Sequence, residues 1–294
     1  MTRAISVIIG GVETQLSTLG ALVAHLGWGM AAIESFAERS PGQHGDTWAG
    51  FNLGPRIGHL VFKSVTGELD DLYALREDLL SLFSPLSSEI ILKFGASGTL
   101  DERRFSTHLV GGLEGEWDVQ GWGVQKFEVS LKASDPTCYD PTGEAWTFSL
   151  GGGEDGFFVP YDVPYAMGAS VINQTQVITY PGGWLSYPLI RITGPITDPV
   201  ITNDGTGDVL DFAGITIAAG HWYEIDCRYG QKTVVDEAGT NRIAELTAAS
   251  DLATFHIAPD PELADGINSI RVSGSAVDAS TKIEITYFVR YLGV

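Results

Sequence analysis

From Tyr187 onward the chain is cut into eight short runs by turn-forming residues, and that rhythm allows little besides antiparallel sheet. The runs cover 189–193, 200–202, 209–212, 222–228, 232–236, 253–257, 269–273 and 282–291. Between them stand Asn203-Asp204-Gly205, Ala219-Gly220, Tyr229-Gly230, Glu237-Ala238-Gly239 and Pro259-Asp260-Pro261. Glycine and asparagine reach backbone conformations that other residues resist, and proline cannot donate to a central ladder, so each cluster turns the chain. No helical period is found after residue 184. Short strands at this spacing predict a sandwich or jelly roll over 185–294.

The first 134 residues read as a mixed domain. Between Lys126 and Ala133, Phe127, Val129, Leu131 and Ala133 fall on one face, and Glu128, Ser130 and Lys132 on the other. That is the period of a strand with one buried face, and Asp135-Pro136 ends it. Residues 56–65 alternate in the same way, and 5–9, 89–94, 103–109 and 114–119 read as further strands. One helix stands out. Leu69, Leu72, Leu75, Leu79, Leu82 and Phe83 recur at three and four residues to make an apolar stripe, with Thr66 as a cap and Glu68, Asp70 and Asp71 near the positive end. Pro85 stops it. A fainter helical spacing through Leu19, Leu22, Val23, Leu26 and Met30 is interrupted by Gly27 and Gly29. Residues 38–50 read as a loop, either solvent-exposed or a contact arm. A sheet covered by one helix closes the first domain near residue 134. Residues 135–184, with their prolines and the run Gly151-Gly152-Gly153, read as a connecting segment around short strands at 146–150 and 170–180.

Composition and motifs point away from chemistry. Acids outnumber bases 37 to 17, giving a net charge of −20. Binding duplex DNA on the outer surface needs clustered Lys and Arg, so this balance disfavours it, whereas a negative wall would let DNA pass unheld. His25, His44, His59, His108, His221 and His256 form no metal-ligand pattern. Glu224 and Asp226 share a strand face, where a carboxylate pair suits acid–base work or simply meets water. The run from Asp204 to Asp208 lacks a full calcium loop and reads as a hairpin turn. Gly10-Gly11 and Gly151–Gly153 lack the context of nucleotide loops, and no nucleophile elbow is present. No catalytic, metal or cofactor-binding residue is predicted. Cys138 and Cys227 are too few and too far apart for a disulfide scaffold. Neither a signal-peptide pattern nor an apolar span of eighteen residues occurs, so the expectation is a chain folded in the cytoplasm without a membrane helix. Trp184, Trp222, Tyr223, Tyr229 and Tyr291 could line a sugar groove, fill the core or form a subunit contact.

In their order, these residues resemble one family, the distal tail proteins of siphovirus-type phages. In the first domain the resemblance runs through Arg56-Ile57, Leu72, Leu75-Arg76, Leu79 and Phe83-Ser84-Pro85, then Leu92-Lys93-Phe94, and ends on Phe127, Leu131, Ala133 and Asp135-Pro136. In the second it opens with Tyr187-Pro188, Ile190, Ile192 and Gly194. It continues through Ile225-Asp226, Val234 and Gly266-Ile267-Asn268 to Ile285, Tyr287 and Tyr291-Leu292-Gly293-Val294. The resemblance implies a mainly β chain with a β-rich α+β belt domain (1–134) and a C-terminal galectin-like sandwich (185–294). It implies a virion protein, assembled in the host cytoplasm as a homo-hexameric adaptor ring between the tail tube and the tail tip or baseplate. Expected partners are the tail tube protein, the tail tip or baseplate hub protein and the tape measure protein, with a receptor-binding protein or host carbohydrate on the sandwich. DNA would pass through without specific binding, with Asp101, Glu102, Glu114, Glu116 and Asp118 as candidate channel-lining acids. The competing expectations are a carbohydrate-binding module that attaches to host surfaces and, third, a sandwich-fold glycan hydrolase.

Overall fold

A computed structural model describes residues 4–19, 21–65, 69–87, 89–96, 98–99, 102–113, 124–149 and 171–294. Strand accounts for 52% of the chain and there is one α-helix among the described residues, so the protein is mainly β. It forms two compact units: Met1–Pro141 together with Tyr291–Val294, and Thr142–Arg290.

Unit 1 starts with β1 (Ile5–Ile9), β2 (Val12–Gln15), β3 (Ala21–Leu26), β4 (Ile33–Glu38), β5 (Thr47–Leu53) and β6 (Arg56–Val65). The helix α1 (Leu69–Leu82) follows, then β7 (Ile90–Phe94), β8 (Arg103–Gly112), β9 (Val124–Ala133) and the start of β10 (Cys138–Ser149). The antiparallel order is β3-β6-β9-β8-β7-β1-β2. β8 joins the two halves, because its first residues pair with β7 and its last with β9, across an irregularity between Leu109 and Gly111. Alternation decides what faces inward. Phe127, Val129, Leu131 and Ala133 of β9 are buried, as are Leu60 and Phe62 on the matching face of β6. Gly58 has that same inward parity and must lack a side chain, since a Cβ there would fall 2.2 Å from the Trp28 ring. The helix closes the core by burying Leu79, followed by Phe83, whose ring lies 6.3 Å from that of Phe62. Leu72, Leu75 and Leu82 are partly buried against the same cluster.

Several expectations change. The helical spacing of Leu19 to Met30 belongs to β3 and the chain after it, where Gly27 takes φ +81. Inside 38–50, only the tip is loop, because β4 and β5 form a hairpin. The strand expected at 103–109 extends to Gly112, and Cys138–Ser149 is one strand containing Pro141 where a connecting segment was expected. β10 pairs with β8 only through Tyr139 and Arg104, so position 141 has no ladder donor to lose on that side. The cap at Thr66, the strand at 114–119 and Gly151–Gly153 lie outside the described residues.

Unit 2 contains β11 (Val171–Thr179), β12 (Leu189–Thr193), β13 (Ile196–Asn203), β14 (Val209–Asp211), β15 (Thr216–Ile217), β16 (Trp222–Asp226), β17 (Thr233–Asp236), β18 (Ile267–Ser275) and β19 (Lys282–Tyr291), the last ending at the return to unit 1. One layer runs β17-β16-β12-β19 and continues to β10, and the other runs β11-β18-β13-β14 with β15 on β13. Ile190, Ile192, Ile225, Val234, Ile283 and Ile285 of the first layer are buried, as are Ile201, Leu210, Ile270 and Val272 of the second. The expected strand at 253–257 is instead a turn, in which the amides of Thr254 and Phe255 donate to the Asp251 carbonyl. Phe255 and Ile257 are buried there with a single antiparallel bridge, Ile257 to Ser186, and their alternating burial explains why the segment looked like a strand.

Candidate assembly surface

β4 and β5 form a two-stranded sheet with no third strand among the described residues. They pair from Ile33↔Leu53 to Glu38↔Thr47, with an irregularity between Phe36 and Ala37. Glycines shape the tip: Gly42 and Gly45 hold φ of +83 and +80. Gln43 organises it further, taking the Ser40 amide on Oε1, donating Nε2 to Thr47 Oγ1 and offering its carbonyl to Arg39 Nε. At the root the Gly54 amide donates to the Ala32 carbonyl at 2.8 Å. Every residue of β4 is exposed. Ile33 is 51% exposed and Trp48 64%, with Phe36 and Phe51 also open. Trp48 and Phe51 stack with centroids 6.3 Å apart. An isolated hairpin is marginally stable in water, and one with several apolar side chains open is an arm that gains by being covered.

The five aromatic candidates of the second domain do not converge. Tyr291 belongs to unit 1, where the Arg103 guanidinium lies 3.6 Å from its ring centroid. Tyr223 is a core residue against Phe212, and burial, aided by a hydrogen bond with Glu245, pushes its phenol up to about 12. The Arg191 guanidinium covers Trp222 at 4.3 Å while bonding Glu224 at 2.6 Å. Trp184 is half-buried, and its carbonyl accepts the Tyr180 hydroxyl. Tyr229 alone stands out, 75% exposed and set edge-on to Tyr187 at 4.9 Å. A sugar-stacking platform needs an uncovered ring face beside polar partners. Three of these five rings are covered by a guanidinium or buried in the core.

The acidic candidates fare similarly. Glu102 is 2% exposed, accepting the Gly98 amide at 2.7 Å and Arg104 Nε at 2.9 Å. A carboxylate enclosed in its own loop presents no charge to a channel, so Glu102 is withdrawn as a lining residue. Asp101, Glu114, Glu116 and Asp118 lie outside the described residues. Glu224 and Asp226 are both tied to arginines, Arg191 and Arg228, and do not face each other as an acid–base pair. Burial pushes the Asp226 carboxyl up, but hydrogen bonds and charge from Arg228 hold it below its ordinary value. The Asp204–Asp208 segment is a turn: Asp204 pairs with Arg271 at 2.8 Å, and Asp208 accepts from Thr206 and Thr254. Among the described residues no group of His, Cys, Asp and Glu could hold a metal ion. Cys138 and Cys227 are both buried.

A second feature of unit 1 was missed from sequence. Arg56 is 3% exposed, 4.8 Å from the Phe105 centroid, and its guanidinium donates to carbonyls from three separate segments: Gly29, Pro136 and Leu292. The signal was present in the parity of β6, where Arg56 shares the inward register of Gly58, Leu60 and Phe62. A base in that register must find buried acceptors.

No protein family model matches the chain, and no curated protein matches it in sequence. Among solved structures it superposes on the SPP1 Dit (gp 19.1) protein, described as a paradigm of the hub adsorption apparatus in Gram-positive infecting phages. The TM-score is 0.66 at 14% identity, over 97% of this chain and 98% of that one. The chain has the fold of a phage distal tail protein. The activated phage P2 baseplate with Ca also aligns over 97% of this chain and 98% of that one, but with 11% identity and a TM-score of 0.48 it adds nothing to the distal-tail fold. No helix among the described residues is long and apolar enough to cross a membrane.

Proposed function

We propose that this protein is a structural component of a phage tail tip, six copies forming an adaptor ring between the tail tube and the tip or baseplate. The observation that carries the reading is the match to a hub protein along nearly the full length of both chains, through both units. A shared single domain would say less, since one domain serves many roles. Copies meet through the β4–β5 hairpin, whose open apolar side chains find cover on the next copy. Partners along the axis are the tail tube, tape measure and baseplate hub proteins, with a receptor-binding protein or host carbohydrate on the galectin-like sandwich of unit 2. The net charge of −20 supports passage of DNA without retention, because each basic contact to phosphate would add salt-dependent affinity. Among the described residues no observation favours a free carbohydrate-binding module.

Native mass spectrometry with particle imaging tests the reading. Six copies of 31.5 kDa give a closed ring of about 189 kDa. Particles with a central hole at that mass support it. A monomer at all concentrations, or an open filament, overturns it.

A further inference from the structure

We propose that Tyr291–Val294 act as a strap that fixes the root of the β4–β5 hairpin, so that assembly through the hairpin depends on the strap being seated. The inference rests on the hairpin being the contact between copies, and it assigns that contact a control within unit 1.

Each strap residue is held, and the holding points converge on the segment that leads into β4. The Val294 amide donates to the Trp28 carbonyl at 3.2 Å. Gly293 lies flat against Gly29, so close that a Cβ on Gly293 would fall 2.2 Å from the Gly29 carbonyl oxygen. Arg56 ties the two segments together, donating to the Gly29 carbonyl and, at 2.7 Å, to the Leu292 carbonyl. Tyr291 lies under the Arg103 guanidinium, and the carbonyls of Tyr291 and Gly293 approach Cys138 Sγ at 3.5 and 3.4 Å. Trp28 anchors the other side of the segment, buried with its ring 5.1 Å from Phe105 and 6.0 Å from Phe94. Directly beyond, Ala31 is buried and Ala32 accepts the amide of Gly54, which closes the hairpin. With the Trp28 carbonyl bonded to the strap and the Gly29 carbonyl to Arg56, the arm leaves a fixed base. Without the strap, the Trp28 carbonyl loses its donor and the Arg56 guanidinium loses one of its three acceptors, and the base is free to shift. Buried polar groups left unpaired favour local opening, which at this place is opening of the hairpin root.

The experiment uses the full chain in a Cys227→Ser background, so that Cys138 is the only thiol. Gly293→Val adds atoms where none fit and unseats the strap without removing a core side chain. Arg103→Gln, which uncovers Tyr291 and adds nothing to the interior, is the second variant. Three readouts are taken: thiol labelling of Cys138, hydrogen exchange at the Gly54 amide, and native mass. The expected result is labelling and Gly54 exchange each faster by at least about tenfold, unchanged exchange in β1 and β7, and a native mass falling toward 31.5 kDa. Trp48→Ser with Phe51→Ser should lower the native mass and leave Cys138 labelling at the parent rate. Unchanged labelling in both strap variants overturns the proposal, as does faster labelling with Gly54 exchange and native mass unaltered. A parent that is monomeric throughout refutes the hairpin contact and with it the gating of assembly. Gly54 exchange in the strap variants then shows separately whether the strap holds the root.

Discussion

Lys93 is 2% exposed in the middle of β7, and its ammonium is 2.6 Å from Glu13 Oε1 on β2, two strands away. The hydrogen bond from Lys93, with a second from Ser6, holds the Glu13 carboxyl below its ordinary value of 4.5. A carboxylate depressed on folding contributes stability in full above that ordinary value, and the contribution is lost as pH falls through the lower folded value. Glu13→Gln should therefore flatten the acid limb of stability against pH. Near neutrality it should cost about 1–3 kcal/mol, less than a fully enclosed pair because Glu13 is partly solvated. Urea melts at pH 3, 5 and 7 check this, and parallel acid limbs for the two proteins would contradict it. Leu79 is fully buried, so Leu79→Ala should cost about 2–5 kcal/mol through lost transfer energy and a residual cavity. A change below about 0.5 kcal/mol would mean the site collapses around the smaller side chain. Leu79 was legible in the sequence because helical spacing marks the inner stripe. Arg56 entered only through the family resemblance, because its burial depends on carbonyl acceptors from three distant segments, which no local pattern marks.

At the scale of elements, what could be read was what repeats. β9 and β6 alternate cleanly and α1 carries a stripe at three and four residues, and each folds as its period requires. β3 was obscured because its leucines happen to match a helical spacing, and sheet pairing with β6 overrides that weak preference. The β4–β5 hairpin escaped because neither of its faces is buried, so no alternation between apolar and polar marks it. The proposed contact between copies rests on that same exposure. Replacing Trp48 and Phe51 by serine removes the apolar side chains that a neighbouring copy would cover and takes nothing from the core. The thermal midpoint of dilute protein should move by less than about 2 °C, since surface changes are usually worth under about 0.5 kcal/mol. Oligomer formation by analytical ultracentrifugation should be lost. Retained assembly would place the contact elsewhere.

For the whole molecule, charge and connectivity dominate. Each copy carries a net charge of −20, so copies repel when brought together. Going from about 0.01 M to about 0.1 M salt shortens the screening length from about 30 Å to about 10 Å. Assembly should thus strengthen with added salt over that range, read as a rise in sedimentation coefficient at fixed protein concentration. Weakening would mean that attraction between opposite charges drives the contact. Net charge was legible from composition alone. The path of the chain was not, because return of the last residues to unit 1 rests on glycine-tight approach and carbonyl acceptors, which carry no periodic signature. That path has a consequence for what the protein can become. Asp140 and Tyr291 both meet Arg103, so the two places where the chain crosses between units lie side by side in unit 1. Unit 2 is thereby an insertion into unit 1 whose two points of departure are neighbours. A module whose two ends are neighbours meets the same geometric requirement that unit 2 meets between Pro141 and Tyr291.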